Sequence, residues 1–265
     1  MSGRAATRMP SPGWTLARTL SLVERNFMLY RRSFTPLLSS MVEPVLYLLS
    51  IGLGVGMLVG TVPGVHVRYA VFVAPAILAT TAMNTAMNQT SFGVYSRIRN
   101  ERTYDAIVPT PVSVTDIALG EVLSAVIHGV LSSTSFVLVM AALGLISSPG
   151  ILLAIPGSVL IGFAFAAAGL AVTTYLRDFS DFQLIQLVML PMYLFATTFY
   201  PLSTYPRPLR PLIEALPLYQ SIELVREPAL GSFTAASLVP VAYLLAFGAI
   251  ALWIATRRMT RLLLS

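Results

Sequence analysis

The stretch from Tyr69 to Phe92, YAVFVAPAILATTAMNTAMNQTSF, runs for 24 residues without a charged side chain. Wound as a helix at 1.5 Å per residue it reaches about 36 Å, enough to cross a hydrocarbon core of roughly 30 Å. Five further runs of the same kind accompany it. Pro36 to Gly60 is broken only by Glu43, and Ile117 to Leu145 carries Glu121 and His128. Gly150 to Leu176, Gln183 to Tyr200 and Ala236 to Thr256 are free of charge. Buried strands and core helices of water-soluble proteins do not reach this length six times over. The expected fold is an all-α membrane protein with six transmembrane helices at about 36-60, 69-92, 117-145, 150-176, 183-200 and 236-256.

Composition points the same way. Of the 265 residues 56% are apolar and 11% charged, against about half and a quarter in soluble domains. A water-soluble ATPase, a nucleic-acid reader and a disordered regulator are therefore excluded as readings. The 17 basic residues are all arginine and give a net charge of +6. With no cysteine, the chain has no disulfide, thiol nucleophile or thiolate metal site.

The arginines orient the spans. With the N-terminus inside, the inner segments hold thirteen of them, from Arg4 to Arg32, then Arg97, Arg99, Arg102, Arg177, Arg257, Arg258 and Arg261. The outer segments hold Arg68, Arg207, Arg210 and Arg226. This positive-inside bias places both termini in the cytoplasm and removes the main argument for nucleic acid.

Two segments stand apart from the spans. Residues 1-35 form a cytoplasmic N-terminus without the apolar core of a cleavable signal, and Arg31-Arg32 reads as the inner end of a span rather than as an export signal. Within it Leu16, Leu20, Val23, Phe27 and Tyr30 recur at helical steps, with Arg18, Arg25 and Arg32 opposite. An amphipathic helix in the inner interface is expected, either as a lipid anchor or as a grip on a partner. The remainder, 36-265, is one transmembrane domain, but its segment 201-235 holds six prolines among apolar clusters such as Leu209, Leu212 and Ile213. It is too broken to span and too apolar to be a solvated loop, so a re-entrant pair of short helices before the last span is expected, with the break at Pro217.

Catalytic signatures are few. A phosphate-cradling loop of the Walker type needs lysine, which this chain lacks, so ATP is not hydrolysed here by that device. Gly52, Gly56 and Gly60 form two small-xxx-small steps suited to close helix packing. His66 and His128 show no metal-ligand spacing, and no nucleophile elbow accompanies His128. Ionisable groups within spans remain candidates for function: Glu43, and Glu121 with His128 seven residues on along the same helix face. The plain alternative is that the carboxylates meet headgroups or inner arginines. In the opening stretch Thr80, Thr81, Asn84, Thr85, Asn88 and Gln89 form a polar stripe that needs neighbouring helices or a ligand.

Particular strings then suggest a family. Glu43-Pro44-Val45-Leu46-Tyr47, followed by Ile51-Gly52-Leu53-Gly54, resembles the first span of type-2 ABC exporter permeases. Arg102-Thr103-Tyr104-Asp105-Ala106-Ile107, Thr110-Pro111 and Asp116 to Glu121 resemble that family's cytoplasmic loop, and Phe199-Tyr200-Pro201-Leu202, Leu216-Pro217-Leu218 and Ile222 to Arg226 its outer re-entrant segment. The similarity covers about residues 14 to 260. Among the branches it is greatest to nodulation-factor (lipo-chitooligosaccharide) export permeases, with daunorubicin-type drug permeases next.

The resemblance implies a half-transporter of the bacterial inner membrane. It would pair with a second permease copy or paralogue and with two cytoplasmic ATPase subunits that bind the ATP and Mg, leaving this chain without cofactor and without catalysis. It assigns the loop 93-116 to ATPase coupling through Arg99, Glu101, Arg102, Tyr104 and Asp105. It places the path between the first, second and fifth spans, where Thr81, Asn84, Thr85 and Asn88 fall. The expected activity is export of an amphipathic lipid-linked oligosaccharide, glycolipid or hydrophobic drug. Two other classes stay open on the residues alone: an ion-coupled transporter using Glu43, Glu121 and His128, and an intramembrane enzyme.

Overall fold

Capping chemistry, rather than the limits of the uncharged runs, sets the ends of the helices in the computed structural model, which describes residues 19, 23–24, 42–62, 65–99, 112–232 and 234–264. Most of the N-terminal segment and the loop residues Glu101, Arg102, Tyr104 and Asp105 lie outside the described residues, so the expected interface helix and most of the coupling loop do too. The described chain is helical, and its β pairing is a single bridge between Thr61 and Arg68.

Helix α1 (Val42–Val59) winds in a wider π-type turn from Leu48 to Val55. It ends at Gly60, whose φ of 70° suits a residue without Cβ and lets its N–H donate to the Gly56 carbonyl at 2.9 Å. Gly52 packs against the Ala70 side chain as a small-residue contact should, whereas a Cβ at Gly60 would meet open space, and that residue serves as the stop, its carbonyl accepting the Tyr69 N–H at 3.1 Å. The expected three-glycine packing seam is thus one contact shorter.

Helix α2 (Tyr69–Arg99) continues seven residues past Phe92, since nothing after Phe92 breaks helical winding and the added polar groups reach the arginine-rich end. It too contains a π turn, Gln89–Gly93. Such a turn releases carbonyls from the helical ladder, and Thr173 of a neighbouring helix meets them, its hydroxyl lying 3.0 Å from the Thr90 carbonyl.

Helix α3 (Val114–Ala142) begins three residues ahead of the apolar run. Ser113 caps it: its hydroxyl accepts the Asp116 N–H at 3.1 Å, and the Asp116 carboxylate accepts the Ser113 N–H at 2.9 Å. Helix α4 (Pro149–Thr173) starts on the Ser148 cap, with proline at its first position.

Helix α5 (Phe182–Phe195) has 14 residues and follows a 3₁₀ turn at Phe179–Asp181. It stops five residues short of the expected Tyr200, where Thr197 adopts φ 62°. Five helices, α1 to α4 and the last, are thus long and apolar enough to cross a bilayer, and α5 is a shorter sixth.

The segment after α5 holds two short helices, α6 (Arg210–Glu214) and α7 (Pro217–Ala229). Pro217 begins α7 rather than interrupting it, because proline needs no donor there. Helix α8 (Leu238–Leu264) runs past Thr256. Its arginines stay helical by laying guanidinium groups over aromatic rings, Arg257 on Trp253 at 4.0 Å and Arg258 on Tyr175 at 3.6 Å.

Helix α4 is the hub. Gly162 lies 3.4 Å from Val126 Cα of α3, Gly157 packs on Leu224 and Val225 of α7, and Gly169 faces Met87 of α2, distances measured from where a Cβ would stand. On the remaining side Gly248 of α8 admits Phe163 and Ala164. Small residues on every face let four helices approach one backbone, which is how packing gains contact where lipid offers no hydrophobic drive. Helix α5 makes no such approach: Leu184, Leu187, Val188 and Leu190 are all exposed, and only Ile185 and Met189 are buried.

Candidate functional site

Because α5 stands off, a polar cavity of about 640 Å³ opens between it and α1, α2 and α3. Helix α2 supplies most of the wall. Ile77, Thr81, Asn84 and Asn88 follow one another at steps of four, three and four, and so form one stripe. The hydroxyls of Thr80 and Thr81 donate to the carbonyls of Ala76 and Ile77 at 2.8 Å, leaving their oxygens able to accept. Asn84 and Asn88 are exposed, Thr85 is half-buried, and none of the three side chains has a hydrogen-bond partner among the described residues. Gln89 is buried, with its Nε2 unpartnered at the same wall. A buried amide without a partner carries a desolvation cost of about 1–3 kcal/mol, which a ligand or water relieves.

The facing walls carry the rest. Glu43 and Tyr47 come from one face of α1, Gln186 and Tyr193 from one face of α5, and His128 from α3. The His128 Nδ1 lies 3.3 Å from the Ser124 carbonyl one turn back, an arrangement that suits Nδ1 as the protonated nitrogen. Phe92 lines the arginine-rich end and packs edge-on against Phe179 at 5.7 Å, while Tyr95 does the same with Phe182 at 5.2 Å. These rings tie the foot of α2 to the foot of α5.

The structure therefore brings Glu43, Thr81, Asn84, Thr85, Asn88 and His128 to one cavity, and separates Glu121 from them. The Glu121 carboxylate is buried against the Arg97 guanidinium and does not line the cavity. Of the coupling residues, Arg99 is described and is exposed at the end of α2. The helices that flank residues 100 to 111 are thus joined by the Arg97–Glu121 pair, and the second of them starts on the Ser113 cap.

Arg226 behaves otherwise than its place in an outer segment suggests. It is buried, not solvated, and its guanidinium donates to the Thr197 carbonyl at 2.7 Å, pairs with Glu223 at 3.1 Å and lies 4.0 Å over the Phe72 ring. This one side chain holds α7, the turn after α5 and α2 together.

Sequence reasoning missed Tyr47, Gln186 and Tyr193. A signal was there: Tyr47 is one turn from Glu43, and Gln186 and Tyr193 are seven apart in an otherwise apolar helix. Chemically the cavity offers amides, hydroxyls and phenols, with one carboxylate and one imidazole, a set that binds a polar and largely uncharged group through many weak hydrogen bonds. Among the described residues no three His, Asp or Glu side chains gather to hold a metal.

Residues 17–230 match the family described as ABC-2 type transporter. The chain is 32% identical to Nodulation protein J of Rhizobium meliloti (strain 1021) over 226 residues, which covers 84% of each chain. It is 33% identical to Nodulation protein J of Sinorhizobium fredii (strain NBRC 101917 / NGR234) over 225 residues, again 84% of each. Nodulation protein J of Rhizobium leguminosarum bv. trifolii is 32% identical over 235 residues, 87% of each.

Proposed function

The chain belongs to the ABC-2 type transporter family as a multi-pass membrane subunit, and from that premise we propose that it exports an amphipathic molecule with an oligosaccharide or similarly hydroxyl-rich head. The observation that carries this is the cavity's row of unpartnered amides, Asn84, Asn88 and Gln89, in a helix otherwise buried in protein. Amides exchange paired hydrogen bonds with neighbouring hydroxyls, and Tyr47, Phe92 and Tyr193 add faces for sugar rings. Similarity to three Nodulation protein J sequences supports a lipo-oligosaccharide over a hydrophobic drug.

The energy comes from elsewhere. A chain without lysine has no Walker-type site, so ATP and Mg belong to a separate cytoplasmic ATPase, two copies of which serve a pair of permeases. The exposed edges of α1, α2 and α5 around the cavity are where a second permease copy closes the path. The ATPase docks on the loop that carries Arg99, Glu101, Arg102, Tyr104 and Asp105. Its movement passes to the spans through the last turn of α2 and the first turns of α3, which Arg97 and Glu121 hold together. Export runs from the bacterial cytoplasmic side, where both termini lie.

The test is co-purification with the ATPase encoded nearby, followed by ATP turnover with chitooligosaccharides carrying or lacking an acyl chain. Stimulation by the acylated form in a two-permease, two-ATPase complex is expected. A permease that binds no ATPase, or turnover indifferent to every amphiphile, would overturn the reading. Dependence of transport on a proton gradient through Glu43 and His128 would instead favour ion coupling.

A further inference from the structure

Glu43 supplies the one carboxylate in the wall of the polar cavity, and it stands deep. Helices α1 and α2 run antiparallel, with Gly52 of α1 packed on Ala70 of α2 and Gly56 on Tyr69. Nine residues back from Gly52, about 13 Å at 1.5 Å each, Glu43 comes level with Thr80. Thr80 lies 12 residues from Arg68 and 17 from Arg97. That is about 18 and 26 Å from the charged groups at either end of α2. Glu43 is exposed to the cavity, and among the described residues no hydrogen bond or ion pair holds its carboxylate. A carboxylate at that depth is costly unless a cation meets it.

The wall itself supplies none. The chain has no lysine, no arginine lines the cavity, and His128 turns its Nδ1 to the Ser124 carbonyl without pairing with Glu43. What surrounds the carboxylate is complementary to a cation instead. Tyr47 follows one turn along α1, and Tyr193 of α5 faces both Tyr47 and Glu43. Aromatic rings beside a carboxylate suit an ammonium group, which their negative faces attract. The hydroxyls of Thr80 and Thr81 are committed as donors to the carbonyls of Ala76 and Ile77, so toward the cavity their oxygens only accept. A protonated primary amine brings three N–H donors and one positive charge to this set. A hydroxyl or an acetamido group would leave the charge unmet.

We infer that the head of the transported molecule carries a protonated amine, bound at Glu43 between Tyr47 and Tyr193 with the Thr80 and Thr81 oxygens accepting its remaining N–H groups. This rests on the reading of the cavity as the substrate path. It narrows the substrate from hydroxyl-rich amphiphiles in general to those with a free amino group on the head. Asn84 and Asn88, further along the same stripe of α2, are left to pair with the neighbouring hydroxyls.

The experiment uses the full-length chain in phosphatidylcholine nanodiscs and measures equilibrium binding of two radiolabelled probes, dodecyl glucosaminide and its N-acetyl derivative, after subtraction of binding to empty discs. The probes differ only at one nitrogen, which in the first is protonated near pH 6. The amine should bind about ten-fold more tightly than the N-acetyl form. Glu43→Gln, which removes the charge and keeps the shape, should level the two affinities. N84L/N88L should weaken both probes in equal proportion. Tyr193→Leu should lower the preference about three-fold, and decides the matter should Glu43→Gln fail to fold. Equal affinities in the unmodified chain, or a preference unchanged by these variants, overturn the inference and leave the hydroxyl-rich path standing. Displacement of the amine by sodium chloride but not by choline chloride assigns Glu43 to a metal cation and also overturns it. Binding of neither probe overturns the reading of the cavity as a path, and the inference with it.

Discussion

Arg97 in the last turns of α2 and Glu121 in the second turn of α3 form an ion pair almost completely removed from solvent. The two residues lie 24 apart in sequence, on either side of the loop proposed to meet the ATPase. A load applied to that loop reaches α2 and α3 as one body. Removing one partner leaves the other charged and buried.

Glu121→Gln should therefore cost about 3–5 kcal/mol, whereas R97Q/E121Q, which removes both charges, should recover most of it. Thermal unfolding of the detergent-purified chain measures both. A double variant no more stable than Glu121→Gln would show that the pair is not the interaction that matters.

Gly169 and Gly54 predict opposite outcomes for the same change. A Cβ at Gly169 would stand 3.2 Å from the Met87 carbonyl and closer still to the Thr90 hydroxyl, so Gly169→Ala should cost about 1–3 kcal/mol. Around Gly54 there is open space, and Gly54→Ala should be neutral or stabilising by up to about 1 kcal/mol. Equal melting temperatures would contradict the hub packing of α4.

Asn84→Leu and Asn88→Leu change a cavity wall without disturbing a protein contact. Stability should stay within about 0.5 kcal/mol, while substrate-stimulated ATP turnover of the assembled complex should fall about five-fold or more for each. Stimulation equal to that of the unmodified complex would remove these residues from the path.

The chain's freedom from cysteine makes its topology directly testable. Ala215→Cys, exposed between α6 and α7, should react with an impermeant maleimide from outside intact cells, and Arg257→Cys only after lysis. Leu216 is a poorer probe, since it is half-buried in the wall of an apolar groove. The reverse pattern would invert the orientation.

The polar stripe of α2 was legible because helical periodicity alone puts Thr81, Asn84, Thr85 and Asn88 on one face. That Glu43 and His128 meet the same stripe was not legible, because their separations of 41 and 44 residues from Asn84 carry no periodic signal. Glu121 and His128 share a helix face by spacing yet serve different neighbours, one an arginine and the other a cavity. The early end of α5 was hidden for a related reason: an uncharged run to Tyr200 reads as helix, while the carbonyls at its end are taken by side chains, Thr198 on Tyr193, Tyr205 on Phe195 and Arg226 on Thr197. Arg226 itself passed for a loop charge, since one-dimensional counting does not register burial.

Length and polarity along the chain by themselves determined that this protein crosses a membrane, that its apolar runs are helical, and which ends of them are basic. They do so because hydrocarbon imposes its thickness and its exclusion of charge on each helix separately. Which helices touch, where α5 is held away, and hence where the polar cavity and the apolar groove open, only the tertiary structure decided. In lipid those choices rest on the fit of small residues such as Gly162, Gly169 and Gly248 against particular neighbours, and a linear pattern does not contain the neighbour.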